Sequence, residues 1–309
     1  MFTVTDAALL EPTFTALRPR LRSLAYRMLG SFADADDALQ ETWLSASRAD
    51  VSEVRNLDAW LTTVAGRICL MMLRSRRTHG ETSLDEALAP GNDMRIPDAV
   101  IVSDARSLPE AAAEAAETVG LAMLIVLQEL TPDERLAFVL HDTFAVPFDD
   151  IAEVLGATPA SARKLASRAR TKVGKAPAPD PDRTAQRSAV DAFFAAARDG
   201  DFDALLRVLH PDVVLRADGG TLRASATGVL RGPRNIAGQA MMFTSLSPYR
   251  RNAWMNGAAG VTIVGPRGPI SVMAFTVVDG RIVEIQVLAD PERLNELIPA
   301  DVLESAPKE

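Results

Sequence analysis

One stretch of the chain, residues 148–173, carries six side chains suited to binding DNA. They are Arg163, Lys164, Ser167, Arg168, Arg170 and Lys172. If these residues form a helix, with about 100° of rotation per residue, the six side chains share one arc. The opposite arc, with apolar residues from Ala162 to Val173, is apolar. No Asp or Glu occurs between Glu153 and Asp180. A helix that is apolar on one side and cationic on the other can pack on a protein core and bind a polyanion at the same time.

The preceding residues predict that this is the second helix of a helix-turn-helix. Apolar residues recur at helical spacing from Phe148 to Leu155, and Gly156 ends that helix because glycine adopts a left-handed conformation readily. Thr158 is a suitable N-cap, and Pro159 suits the first helical position. In this motif the second helix enters the DNA major groove. The alternative interpretation is a solvated basic face on an ordinary helix.

A second candidate nucleic-acid surface lies on a helix predicted over residues 56–77. The candidate contact residues are Asn56, Trp60, Thr63, Arg67, Arg74, Arg76 and Arg77. Aromatic rings stack on unpaired bases, and arginines hold the phosphate backbone. The alternative is that Trp60 anchors the edge of the core and the arginines solvate the end of the helix.

The helix predicted over residues 33–47 has the opposite charge. Its exposed face carries Asp34, Asp37, Gln40 and Glu41, and acids in a first turn are favoured by the helix dipole. Such a face is either simply solvated or binds a protein partner.

The composition excludes several classes of protein. The 309 residues are 48% hydrophobic and 24% charged, which is typical of a globular chain with two or three domains. The net charge of −8 means that DNA contacts must come from local basic patches. One cysteine, Cys69, and three scattered histidines predict no disulfide, no metal site and no cofactor. The chain lacks a signal-peptide pattern and a spanning apolar run, which predicts a cytoplasmic protein without membrane contact.

Changes of pattern predict a multidomain chain with two all-α domains followed by an α+β domain. The predicted boundaries are 10–80, a linker at 81–117, 118–175, a proline-rich linker at 176–184, and 185–309. The first domain has helices over 14–29, 33–47 and 56–77. The second has a helix over 119–130, and a capping box at Thr131 to Glu134 opens another helix that runs to about His141. We expect the His141 side chain to be packed rather than reactive.

The last domain changes from helical to strand periodicity. Helices are predicted over 185–197 and 203–209, and strands over 213–217, 261–264, 270–278 and 282–288. Asp279 and Gly280 form a hairpin turn. Helices followed by antiparallel strands predict an α+β domain with helices on one face of a curved sheet.

The two helical blocks resemble regions 2 and 4 of bacterial sigma factors of the extracytoplasmic-function (ECF) class. Asp34-Ala35-Asp36-Asp37-Ala38-Leu39-Gln40-Glu41-Thr42-Trp43 is similar to the family element D-A-E-D-[LAV]-x-Q-E-[TA]-[FW], which docks on core RNA polymerase. Residues 56–77 resemble the element that captures and melts −10 promoter DNA. The family's usual R-N-x-x-x-D is here Gly66-Arg67-Ile68-Cys69-Leu70-Met71. The resemblance covers about residues 14–174.

This resemblance implies a transcription initiation factor without catalytic residues. The partners would be promoter DNA and core RNA polymerase, through its β′ clamp and β subunit. Polymerase would contact Asp34, Asp37, Gln40, Glu41 and Trp43. The second block would read the −35 element through the six residues of its basic helix. The alternative is a helix-turn-helix regulator with a ligand-sensing or vestigial-enzyme tail, and a plain repressor has no use for the acidic helix.

Residues 185 to about 295 resemble the SnoaL-like (NTF2-like) cone fold, which marks the SigJ-type, or ECF41, group of these factors. Three motifs of that group have counterparts here: Arg95-Ile96-Pro97-Asp98-Ala99-Val100, Asp218-Gly219-Gly220-Thr221-Leu222-Arg223 and Ala289-Asp290-Pro291-Glu292-Arg293-Leu294. The resemblance implies that the tail regulates the sigma domains by intramolecular contact. The implied regulatory residues are Pro97, Asp98, Asp218, Gly219, Gly220, Arg223, Asp290 and Pro291.

Two other interpretations of the tail remain. An enzyme would need convergence among His210, Asp212, Asp218, Asp279 and Asp290, and their spacing does not show it. A small-molecule sensor would need a pocket, with Met241, Met242, Phe243, Trp254 and Phe275 as candidate lining residues.

Overall fold

The computed structural model of the chain describes residues 9–82, 95–102, 120–177 and 179–304. They belong to two compact units. The N-terminal unit combines Met1–Leu84 with Leu124–Ala176, and the C-terminal unit combines Asp85–Met123 with Pro177–Glu309. Within the described ranges, every helix is too short or too polar to traverse a lipid bilayer.

The N-terminal unit is entirely helical, as the sequence predicts. Its elements are α1 (Leu10–Leu29), α2 (Phe32–Ala46), α3 (Leu57–Thr82), α5 (Pro132–Phe138), α6 (Phe148–Leu155) and α7 (Pro159–Val173), while α4 (Leu121–Gln128) precedes α5. Gly30 ends α1 at φ 73°, and the Ser31 side chain caps α2 by accepting from the Asp34 N–H. The helix predicted to run to His141 instead changes to a π-helix at Val139–Thr143.

Close packing joins the two helical blocks of this unit. Gly66 of α3 faces Leu136 and Leu140, and a Cβ at Gly66 would lie 3.1 Å from a Leu140 methyl carbon. Arg135 of α5 donates to the Met28 carbonyl at the end of α1 over 2.6 Å. Burial lowers the pKa of Arg135 to about 10, so this side chain remains a cation at neutral pH.

The C-terminal unit is an α+β domain built on a curved seven-stranded sheet. The strands are β1 (Ile101–Val102), β2 (Leu209–Asp218), β3 (Gly228–Arg231), β4 (Arg250–Met255), β5 (Ala258–Gly265), β6 (Gly268–Val278) and β7 (Arg281–Leu288), in the order β1-β4-β5-β6-β7-β2-β3. Helices α8 (Arg183–Asp199), α9 (Phe202–Val208) and α10 (Pro233–Met242) pack on it, and α11 (Pro291–Leu297) and α12 (Ala300–Glu304) follow β7. This architecture confirms the predicted α+β domain with helices packed on a curved sheet, which we call the cone.

A hydrophobic core joins the first helices of this domain to the sheet. Phe193 of α8 packs with Phe275 of β6, their ring centroids 5.8 Å apart. Val190, Phe275 and Ile285 are fully buried. The hairpin between β6 and β7 turns at Asp279 (φ 50°) and Gly280 (φ 69°), as predicted. The carboxylate of Asp180 accepts from both turn N–H groups, over 2.9 and 3.0 Å.

The structure differs from the sequence expectation in three respects. β1, β3, β4 and α10 to α12 are additional elements. β2 pairs with β7 in parallel, whereas a run of antiparallel strands is predicted. β1 comes from the linker between the two helical blocks and pairs with β4, with Ile101 opposite Met255 and Val102 opposite Trp254.

Candidate nucleic-acid interface and linker clasp

The helix-turn-helix has the predicted local geometry. Gly156 ends α6 in the left-handed conformation, at φ 64°. The Thr158 side chain caps α7 by accepting from the Ser161 N–H over 3.2 Å. Small side chains let α7 approach the core closely, because its buried positions are three alanines: Ala162, Ala166 and Ala169. The cationic side of α7 therefore faces outward.

Three of the six candidate −35 residues form ion pairs within the domain. Arg168 and Lys172 pair with Glu134 of α5, over 3.2 and 2.9 Å. Arg170 donates two 2.6 Å hydrogen bonds to Asp142. These pairs hold α7 against α5 and against the π-helix that follows α5.

Glu134 is the acceptor at the centre of this arrangement. It also completes the predicted capping box, since its carboxylate accepts from the Thr131 N–H. Burial alone would raise the pKa of Glu134. The hydrogen bonds from Lys172 and Thr131, and the charges of Lys172 and Arg168, outweigh burial and hold that pKa below its usual value.

The other three candidates, Arg163, Lys164 and Ser167, are exposed and form what we call the recognition face. The Arg163 guanidinium lies 5.4 Å from the centre of the Phe148 ring, a cation–π contact that orients it. Within the described ranges no carboxylate pairs with Arg163 or Lys164. Their donors are available to a ligand in front of α7.

The candidate −10 residues at α3 also divide into residues that are bonded within the domain and residues that are open to a ligand. Asn56 caps the helix by accepting from the Ala59 N–H over 3.1 Å, and the Thr63 hydroxyl donates to the Trp60 carbonyl over 2.7 Å. Trp60 is half-buried and Arg67 is exposed on the same side of α3, one heptad apart. We call this pair the strand-capture face. The side chain of Arg77 lies outside the described residues.

The two remaining arginines of α3 bind carboxylates. Arg74 pairs with Asp133 of α5 over 2.8 Å, and Arg76 pairs with Asp34 of α2 over 2.5 Å. The second pair joins residues that the sequence assigns to different partners, Asp34 to polymerase and Arg76 to DNA. An ion pair between α2 and α3 therefore links the two candidate surfaces.

The acidic face of α2 is exposed at three of its predicted positions, Asp37, Gln40 and Glu41. Trp43 is half-buried and its ring lies 5.1 Å from that of Phe14. Asp36, between the predicted residues, is held by Arg22 through hydrogen bonds of 2.7 and 3.0 Å. The hydrogen bond from Arg22 lowers the pKa of Asp36.

In the C-terminal unit, one arginine of α11 holds the linker segment 95–102. Arg293 donates to Asp98 over 2.6 and 3.0 Å, to the Ile96 carbonyl over 2.5 Å, and to Asp218 over 2.7 Å. Asp218 also accepts from the Ile96 N–H over 2.9 Å. All three ionised side chains are nearly buried. We call Ile96, Asp98, Asp218 and Arg293 the linker clasp.

The glycines after Asp218 are required by the space around the clasp. A Cβ on Gly219 would lie 2.1 Å from the Arg223 carbonyl oxygen, and one on Gly220 would lie 2.2 Å from Asp290 Oδ2. Asp290 caps α11 by accepting from the Glu292 and Arg293 N–H groups, with Pro291 at the first helical position. This cap sets the direction of the Arg293 side chain.

Most of the predicted regulatory residues therefore meet at one place. Pro97, Asp98, Asp218 and Gly219 are buried there. Gly220, Asp290 and Pro291 adjoin them and are partly buried, and Arg223 lies beside Gly219. Sequence reasoning did not select Arg293, although it lies within the quoted motif Ala289 to Leu294. It also missed Asn256, whose side chain accepts from the Val100 N–H over 2.8 Å.

The cone encloses a cavity of about 570 Å³. Of the five lining residues predicted, only Phe243 lines it. Phe275 is fully buried in the core, Met242 is 75% exposed, and Met241 packs against the core. The Trp254 ring instead contacts the guanidinium groups of Arg183 and Arg187, each 5.1 Å away. The cavity lining includes none of the candidate catalytic residues, which are His210, Asp212, Asp218, Asp279 and Asp290.

Comparison with known proteins identifies the two helical blocks. Residues 13–79 match the sigma-70 region 2 family, and residues 121–173 match the sigma-70 region 4 family. The chain is 38% identical to the ECF RNA polymerase sigma factor SigJ of Mycobacterium tuberculosis, over 91% of each chain. It is 32% identical to the probable ECF sigma factor SigI of the same species, over 91% of this chain and 93% of the relative.

The match extends to three dimensions and through the C-terminal domain. The crystal structure of M. tuberculosis SigJ aligns with a TM-score of 0.70 and 35% identity, covering 91% of this chain and 97% of the other. The helix-turn-helix, the two sigma-70 regions and this similarity over 91% of the chain all agree. The chain belongs to the extracytoplasmic-function family of RNA polymerase sigma factors.

Proposed function

We propose that this sigma factor, which is not an enzyme, binds core RNA polymerase and directs it to promoters with separate −10 and −35 elements. The observation that carries the proposal is the outward cationic side of α7, whose opposite side is buried through Ala162, Ala166 and Ala169. Polymerase and promoter DNA meet in the cytoplasm, which is the proposed site of action.

The recognition face supplies the proposed base contacts at the −35 element. Arg163 is exposed, oriented by Phe148 and lies in the first half of α7, the part that enters the major groove in this motif. Arginine forms two parallel hydrogen bonds with guanine, and each such contact contributes about 1–3 kcal/mol of discrimination. Arg168, Arg170 and Lys172 are proposed to position α7 and to contact phosphates.

At the −10 element, the strand-capture face is proposed to hold a displaced strand. Trp60 offers a ring for stacking and Arg67 offers an exposed cation one heptad away. Asn56 supports this face by capping the start of α3, and the Thr63 hydroxyl bonds to the Trp60 carbonyl beside it. The ion pairs of Arg74 and Arg76 hold α3 against α5 and α2.

Core polymerase is the proposed partner of the acidic face. Asp37, Gln40 and Glu41 recur at i, i+3 and i+4 and are exposed together. Asp34 and Trp43 are proposed to contribute at the margin of this face. Because Asp34 also pairs with Arg76, polymerase binding at α2 would be transmitted directly to α3.

The C-terminal domain is proposed to regulate initiation through the linker clasp. The clasped segment, residues 95–102, belongs to the chain between region 2 and region 4, and the clasp anchors it to the cone. A fixed anchor limits how far each sigma region can extend, because a chain spans at most about 3.3–3.6 Å per residue.

Promoter binding by the reconstituted holoenzyme tests the −35 assignment. We expect Arg163→Ala to weaken binding at one or two −35 positions selectively, and Lys172→Ala to weaken binding to all sequences alike. Lys175→Ala, just beyond α7, is the matched control. A uniform loss with Arg163→Ala would contradict its assignment as a base reader.

Transcription in vitro tests the clasp. Arg293→Gln and Asp98→Asn in the full chain are expected to change initiation in the same direction, with Arg198→Gln on an exposed site as the control. Wild-type activity in both clasp variants would contradict regulation through the linker.

A further inference from the structure

The cone cavity shares no lining residue with the recognition face, the strand-capture face or the acidic face of α2, and it borders the linker clasp at Arg223. Its walls come from α8, β2, β3, α10 and the strands behind them, including Phe193, Leu230 and Val287. Its volume of about 570 Å³ falls within the range of small-molecule sites, roughly 300–1,000 Å³. Val229 and Phe243 line it and are 40% and 53% exposed, so they mark its mouth.

The lining has an unusual charge pattern. Most of it is apolar, and its neutral polar groups are hydroxyls and one amide, that of Gln239. Among the lining residues that the structure describes there is no Asp, Glu, His, Lys, Tyr or Cys, and Arg223 is the single ionisable one. A wall without a general acid or base near neutral pH is suited to binding rather than to proton transfer.

Arg223 is held rigidly at this wall. Its Nη1 donates to the Ile270 carbonyl over 3.0 Å and to the Ala289 carbonyl over 3.2 Å. Within the described ranges no carboxylate lies in ion-pair distance of Arg223, although the side chain is partly buried. A guanidinium that donates to two carbonyl groups still has further N–H donors, from which a ligand carboxylate can accept.

We propose that the cone cavity binds an amphipathic carboxylic acid, with its hydrocarbon part among the apolar walls and its carboxylate on Arg223. The apolar lining explains the hydrocarbon part, and the Arg223 guanidinium, whose partners in the described residues are carbonyl groups, explains the preference for an anion over a neutral or cationic head group. This site goes beyond promoter recognition, and its occupancy requires neither polymerase nor DNA.

Isothermal titration calorimetry of the full chain tests the site with four probes. They are decanoate, decanol, decylamine and acetate, each kept below the concentration at which it self-associates. We expect decanoate to bind saturably at one site, at least about tenfold more tightly than decanol, which follows from a charge-assisted hydrogen bond. Acetate lacks the hydrocarbon part and decylamine carries the wrong charge, so neither should bind.

Three variants locate the bound probe. Arg223→Gln should reduce the affinity for decanoate to that for decanol, while Arg231→Gln, exposed at the end of the neighbouring β3, should leave it unchanged. Ala240→Trp fills the cavity, and Val229→Trp narrows the mouth without entering the core; both should abolish binding.

Several results would overturn the proposal. Equal affinities for decanoate and decanol, or an unchanged affinity in Arg223→Gln, would remove the role of the guanidinium. Wild-type binding in Val229→Trp would place the probe elsewhere. Absence of saturable binding by all probes would exclude the site, and promoter recognition by the holoenzyme would be unaffected by that result.

Discussion

Asp98 and Arg293 lie 195 residues apart in the sequence, yet their side chains form an ion pair over 2.6 Å with both partners nearly buried. Asp218 shares the same guanidinium over 2.7 Å. Two carboxylates around one cation leave no spare positive charge, so both carboxylates depend on Arg293 for their counter-charge.

Removing Arg293 should therefore be costly. Arg293→Ala leaves two buried carboxylates without their cation, and breaking a buried pair in this way costs about 3–5 kcal/mol. We expect a loss of this size in the free energy of unfolding measured in urea. The exposed pair of Arg198 and Asp199 provides the control, and Arg198→Ala should have no measurable effect. A similar small effect in both variants would mean that the clasp is not stabilising.

Replacing Gly220 should disrupt the same site from the other side. Gly220→Ala places a methyl group 2.2 Å from Asp290 Oδ2 at a φ of 61°, so both the cap of α11 and the backbone are strained. We expect a destabilisation of about 1–3 kcal/mol. The matched variant is Gly238→Ala in α10, where a Cβ meets nothing within 4 Å. There, helix propensity predicts a gain of about 0.5–1 kcal/mol. Equal effects at both positions would refute the steric explanation.

Glu134 should make the stability of the N-terminal unit depend on pH. Its pKa is lower in the folded protein than in the unfolded chain, so its stabilisation is complete above the unfolded value of about 4.3. The stabilisation is lost as the pH falls through the folded pKa. Glu134→Gln should be about 1–3 kcal/mol less stable than the wild type at pH 7.

The difference between wild type and Glu134→Gln should shrink in urea titrations carried from pH 7 to pH 3. Glu153→Gln, at an exposed position of α6, controls for a general effect of charge. A difference that stays constant as the pH falls would show that the ionised form of Glu134 contributes nothing.

Cys69 offers a direct measure of opening of the N-terminal unit. The thiol is fully buried, and burial raises its pKa to about 12. Reaction with a thiol reagent at pH 8 should therefore proceed only through unfolding, far more slowly than in urea. Met71→Cys adds a thiol at a position that is 56% exposed, and should add one rapidly labelled equivalent. Rapid labelling of the wild type would contradict the burial of Cys69.

The sequence predicts the parts of this protein whose signals are local. Gly156 and Thr158 define the turn between α6 and α7, and Asp279 with Gly280 defines the hairpin, because each depends on the conformation of its own backbone. The predicted outward side of α7 is also correct, since one buried arc fixes the opposite arc.

Features that depend on distant residues were not predicted. β1 has two residues and pairs with a strand more than 150 positions away. β4 begins with two arginines and an asparagine, which weaken its strand pattern. Nothing in the sequence shows that Glu134 and Asp142 would pair with the cations of α7, or that Trp254 would contact arginines rather than line the cavity.

The pairing of β1 with β4 protects the border of the sheet. With the linker in place, Trp254 and Met255 of β4 have strand partners on both sides, and the Asn256 N–H also donates to the Val100 carbonyl. Departure of the linker would turn β4 into an outermost strand with uncovered N–H and C=O groups, a template for association with another copy of the chain. Any state in which the linker leaves the sheet is therefore expected to aggregate more readily.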